Sequence, residues 1–188
     1  MQLSMNFRTT VALALLGAGG YYVYGLFFAD IESGDLGKLM REHRHAEPAR
    51  QAILKHRIMV VYNSARDYGM VFRALDSPSP ATQALAVETL TEKVERRALP
   101  KLTEMLGDPD RPELVKEALA TAMGTLSVHE AIPRLVDMTD VSEPPGARAA
   151  AHHALLRLTG AGAQVKLGAG TREQWDNWLR SRRVTGVR

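Results

Sequence analysis

Six histidines are the residues of this chain best suited to metal or proton chemistry: His43, His45, His56, His129, His152 and His153. Their spacing decides what they can do. On an α-helix His43 and His45 lie about 200° apart, too far round to hold one ion while the helix is regular. Pro48 separates His45 from His56, which places them on different helices. His152 and His153 are neighbours in an alanine-rich stretch, where a structural or surface role is expected and a pH-sensitive contact at His153 is the most that follows. Acidic pairs such as Asp108 and Asp110 lie in a proline-containing turn and read as turn formers, not as an acid–base pair. The chain has no cysteine, which removes disulfides, thiolate zinc sites and a cysteine nucleophile. No serine stands in a catalytic elbow motif, and Gly160-Ala161-Gly162 and Gly168-Ala169-Gly170 lack the strand that precedes a phosphate-cradling loop. The expectation is a protein that is not an enzyme, with no metal, no cofactor and no small-molecule substrate.

Charge points the same way. The 188 residues carry a formal net charge of +3, of which Arg8 supplies one. The remaining +2 is too little for a phosphate-binding surface, so no nucleic-acid partner is expected. The one-signed segment is the end of the chain, with Arg180, Arg182, Arg183 and Arg188, read as a solvated tail or a contact for anionic head groups or an acidic partner surface.

The elements that would position these residues repeat. The turn Leu106-Gly107-Asp108-Pro109-Asp110-Arg111-Pro112 has counterparts at Asp76 and Asp140, and an alanine-rich helix follows each. Ala86/Ala118/Ala150, Val87/Leu119/Ala151, Leu90/Ala122/Ala154 and Val94/Leu126/Leu158 recur at the same interval of 32. A period of that size signals stacked helix pairs, each covering the apolar face of the next. The first helices of the later pairs open on Ala98-Leu99-Pro100 and Ala131-Ile132-Pro133, with proline in the first turn where its missing N–H has no helical partner. Leu54, Ile58, Met59 and Tyr62 lie 32 before Ala86, Leu90, Thr91 and Val94, which makes residues 35–63 a degenerate first pair. Met105, Met123 and Met138 fall at helical spacing and read as core filler.

Ala98-Leu99-Pro100-x-Leu102, the Gly107-Asp108-Pro109-Asp110 turn and Val115-Lys116-Glu117-Ala118 resemble the HEAT repeat, in the bacterial variety related to phycobilisome-lyase repeats. The likeness recurs over residues 66–160. It implies an all-α fold: a short α-solenoid of about four HEAT-like helix pairs across residues 35–160, with a C-terminal cap at 161–188. It also implies a polar ladder between a turn aspartate and a basic residue early in the second helix, kept here by Asp108/Lys116 and Asp140/Arg148 but not at Ala84. By the same resemblance the second helices line the concave side. Their outward registers, Thr89/Thr121/His153 and Leu85/Glu117/Ala149, are then the expected protein-binding positions, working by shape and apolar contact more than by charge.

The cap helix starts at Thr171, which has capping-box spacing to Gln174, and carries Trp175, Trp178 and Leu179 on one face. Sealing the last repeat is the expected role of Trp175 and Trp178; anchoring a partner is the alternative.

Thr9 to Ala29 contains no charged residue and would span about 30 Å as a helix, a bilayer's hydrocarbon thickness. Residues 1–29 therefore read as one transmembrane anchor, with 30–34 a linker; a cleaved signal peptide and a buried core helix are the competing readings. Ala14, Gly17, Ala18 and Gly25 form a small-residue stripe suited to packing on another transmembrane helix. A count of lysine and arginine, with Lys38, Arg41 and Arg44 after the stretch against Arg8 before it, favours a cytoplasmic domain. The short basic N-terminus instead resembles a bacterial signal anchor and gives the expected setting, a single-pass inner-membrane protein with a periplasmic domain. The leading function is a membrane-tethered adaptor that binds a protein at the bilayer surface. An accessory subunit of a larger membrane complex is the alternative, ahead of a bilin-lyase-like enzyme or a nucleic-acid binder.

Overall fold

The computed structural model describes residues 35–168 and 170–185, and every regular element among them is a helix. The apolar stretch 9–29 with Ala14, Gly17, Ala18 and Gly25, the linker 30–34 and Arg188 lie outside the described residues. Among the described residues no helix is long and apolar enough to cross a membrane.

The chain divides into two compact units, the first ending at Tyr62 and the second beginning at Asn63. In the first, α1 (Leu36–His45) and α2 (Pro48–Val61) form the expected pair. Asp35 caps α1 by accepting a hydrogen bond from the Gly37 amide at 2.9 Å. Leu36, Leu39 and Met40 of α1 and Leu54, Ile58 and Met59 of α2 are buried, as an amphipathic pair requires.

The second unit stacks three pairs and a closing helix. The pairs are α3 (Ser64–Ala74) with α4 (Pro80–Glu92), α5 (Leu99–Gly107) with α6 (Glu113–Thr125), and α7 (Ile132–Asp137) with α8 (Pro145–Thr159). The second helices α4, α6 and α8 lie side by side, and α9 (Thr171–Thr185) packs on α7. Leu102, Met105, Leu106, Met123, Leu135, Val136 and Met138 are buried where the apolar stripes place them.

Two local details set the register. Each second helix ends in a left-handed residue: Val94 at φ 53°, Ser127 at φ 57° and Gly160 at φ 67°. After the first two, an amide reaches back five positions, Glu95 to the Leu90 carbonyl at 2.8 Å and Val128 to the Met123 carbonyl at 3.0 Å, the Schellman closure. The turns entering these helices differ in length. α4 is capped by Ser79, three residues after Asp76, whereas Pro112 and Pro144 stand four after Asp108 and Asp140. The 32-residue interval thus holds for the turn aspartates but is one too short for α4 against α6.

The cap of α4 comes from Ser79, not from the turn aspartate Asp76: the Ser79 hydroxyl accepts from the Thr82 amide at 3.4 Å. A reciprocal cap that the sequence reading missed starts α3: Asn63 Oδ1 accepts from the Ala65 amide at 3.0 Å, and Asp67 Oδ2 accepts from the Asn63 amide at 2.8 Å.

Candidate protein-binding surface

The one-residue difference in turn length changes which side chains line the second-helix surface. Thr121 and His153 are exposed, as expected, but Thr89 is buried and its hydroxyl donates to the Leu85 carbonyl at 2.7 Å. Leu85 is buried as well, so neither residue is an outward register. Shifting α4 by one residue puts the half-buried Glu88 in line with Thr121 and His153. One helical turn on, Glu92, Thr125 and Arg157 are all exposed, and Arg157 Nη1 donates to Thr125 Oγ1 at 3.2 Å across α6 and α8. Glu117 and Ala149 are half-buried, and the residue now matching them, Ala84, is buried.

These two rows form a graded surface. Glu88 and Glu92 make its α4 end acidic, Thr121 and Thr125 keep the middle neutral, and Arg157, one turn from His153, makes the α8 end basic. Where apolar contact was expected to dominate, the exposed rows are polar.

The side chains fixing this surface pair differently from the expected ladder. Lys116 is buried and makes a direct ion pair with Glu143, in the turn before α8, not with Asp108. Glu113 Oε1 accepts from the Gly146 amide at 3.0 Å, placing a carboxylate at the α8 N-terminus, where the helix dipole favours it. Asp108 stays within its own turn, 3.0 Å from Arg111 Nε and accepting from the Asp110 amide. The turn aspartates that do reach the following element pair with its cations. Asp76 meets Lys101 at 3.3 Å, and Asp140 meets Arg172 at 3.3 Å. Between them Arg134 Nε donates to the Leu106 carbonyl at 3.0 Å. A ladder exists, then, but its basic side chains come from the next first helix, or from α9, and Arg148 takes no part.

Residues 71–156 match HEAT repeats. The match runs from the last turn of α3 to the last turn of α8, which takes in most of the stack just described. No curated protein and no solved structure matches the chain. HEAT repeats suggest a protein-interaction scaffold, and the side-by-side second helices are the continuous surface that such a scaffold offers.

At the end of the stack the tryptophans divide their work. Trp175 is fully buried, and its indole N–H donates to His152 Nδ1 at 3.2 Å. Burial, with the neighbouring His153, holds the His152 pKa below the usual histidine range. Trp178 is half-buried, donates to Gln164 Oε1 at 2.7 Å and packs edge-on against Trp175. The expected capping box at Thr171 and Gln174 takes another form. Thr171 opens α9, its hydroxyl accepting from the Gly168 amide at 2.7 Å, while Gln174 Oε1 accepts from the Lys166 amide at 3.1 Å. Both side chains tie down the loop ahead of the helix.

Arg97 is a residue that sequence reasoning passed over. Its guanidinium stacks 3.5 Å above the Tyr68 ring and reaches the Ser64 carbonyl and hydroxyl at the start of α3, with Glu95 as its ion-pair partner. The signal was available in Arg96-Arg97 following Glu95, but pattern alone could not say which arginine turns inward.

Proposed function

We propose that this chain is a membrane-tethered HEAT-repeat scaffold, without enzymatic activity, that holds a protein partner along α4, α6 and α8. The observation that carries the reading is the graded row Glu88/Thr121/His153 with Glu92/Thr125/Arg157, presented by helices that pack side by side. The tether rests on the uncharged stretch 9–29, and confinement to a bilayer surface would raise the local concentration of the scaffold near membrane partners. A bacterial inner membrane with the repeats on the periplasmic side is the setting we assign to it. The small-residue stripe Ala14/Gly17/Ala18/Gly25 favours a second reading, an accessory subunit held in a larger complex through that segment.

Site-specific photo-crosslinking in native membranes tests both. Adducts are expected from probes at Thr121 and His153, and a Thr121→Arg/His153→Glu variant should lose the partner in a pulldown. Full retention by that variant would defeat the surface assignment. Loss on Ala14→Leu/Ala18→Leu with the repeat surface intact would transfer the function to the subunit reading.

A further inference from the structure

A second surface lies on the opposite helices. Between the start of α7 and the second half of α9 is a cavity of about 550 Å³. Its floor is apolar: Ile132, Pro133, Val136 and Leu179. The geometry of α9 explains the opening. Arg172 binds Asp137 and Asp140, and Trp175 binds His152, so the helix is fastened over its first two turns. Beyond Asp176 it lines the cavity with Leu179 and Arg180 instead of closing on α7.

The charged groups at the rim are unequally satisfied. Arg180 is held on its own helix, its guanidinium donating to the Asp176 carbonyl and to Asn177 Oδ1. Asp137 is paired with Arg172. The carboxylates of Glu130 and Asp176 make no ion pair with any described residue, although both line the cavity. An apolar floor with two unpaired carboxylates at its edge calls for an occupant that is apolar at its centre and cationic at its flank. We propose that this groove docks a segment of a partner protein bearing a bulky apolar side chain next to lysine or arginine. The apolar side chain supplies the anchor and the cation meets Glu130 and Asp176, which sets orientation and selectivity. The volume is within the range of pockets that bury compact ligands, which leaves room for a few side chains and not for a whole helix.

The probe is a phage-displayed library of random 12-residue peptides panned against the full-length protein. Enriched peptides are expected to combine bulky apolar residues with lysine or arginine. By fluorescence polarisation they should bind Glu130→Lys/Asp176→Lys at least tenfold more weakly than the parent. Both positions are at the rim, so this variant should keep its thermal midpoint; Leu179→Glu is a second variant that blocks the floor directly. Binding should be unchanged in Thr121→Arg/His153→Glu, which separates this groove from the row on α4, α6 and α8. Peptides with no basic bias, or binding indifferent to the charge reversal, would overturn the proposal. So would concentration-dependent self-association abolished by the same variants, which would give the groove to a second copy of this chain.

Discussion

Among the described residues, His152 is the one side chain whose protonation would undo a buried contact in the cap. As the neutral imidazole it accepts the Trp175 indole hydrogen on Nδ1; as the cation it has no acceptor to offer. Its folded pKa is depressed, so the unfolded chain binds the proton more readily, and stability is complete above the unfolded value near ~6.5 and declines as pH falls below it. The thermal midpoint should drop between pH 7 and pH 5, and His152→Gln, which still offers an acceptor, should flatten that drop; an unchanged slope would rule out His152 as its source. Val94 makes the opposite kind of prediction. A β-branched residue at φ 53° is strained, and its side chain is 57% exposed, so little burial compensates. Val94→Gly should raise stability by about 1 kcal/mol in urea unfolding, whereas Gly160→Val should lower it.

The pair between buried Lys116 and half-buried Glu143 also belongs to this scale. Removing one partner strands a charge, so Glu143→Ala should cost about 3 kcal/mol. The double change Lys116→Met/Glu143→Leu should recover most of that loss, because desolvation of the pair offsets much of its attraction. A double variant as unstable as the single one would show that the pair supplies net stability and does more than satisfy itself.

At the scale of the helix, alanine and glycine let the second helices approach. A β-carbon built on Gly124 of α6 would lie 2.9 Å from Ala154 Cα of α8, a backbone atom that cannot rotate away. Gly124→Val should therefore overpack the α6–α8 contact and cost about 1–3 kcal/mol; a neutral result in chemical unfolding would mean that the two helices can slide apart freely. The small residues of the repeat were legible in the sequence, as were the helix pairs of the second unit, the proline starts at Pro100 and Pro133 and the buried methionines. What escaped is equally physical. Periodicity counts residues from turn to turn, and the Asp76 turn reaches its helix one residue sooner than the others. That single residue turns Thr89 inward and Glu88 outward. Pairing escaped for a related reason: equal spacing between Asp108/Lys116 and Asp140/Arg148 says nothing about which neighbour is closer in space. Lys116 is buried beside Glu143, and Asp140 faces Arg172, 32 residues on. The groove between α7 and α9 left no sequence signal, because it depends on where α9 diverges after Trp175.

On the scale of the stacked unit, each pair depends on its neighbours, and the last has only α9 to cover it. Stability in such an array is close to a sum of repeat terms and nearest-neighbour terms, so damage at one end should weaken with distance along the stack. Trp175 is the point where this can be read, because it is the largest fully buried side chain of the unit and belongs to the closing helix. Truncating a buried tryptophan costs about 3–5 kcal/mol and leaves His152 without its donor. In Trp175→Ala, native-state hydrogen exchange should speed up most in α8 and α9, less in α6 and least in α4. The same variant should also weaken binding at His153 before it weakens binding at Glu88, since the graded surface would fray from its basic end. Uniform acceleration across all three second helices would contradict this, and would mean that the three pairs open as one cooperative block in which the cap holds every repeat equally.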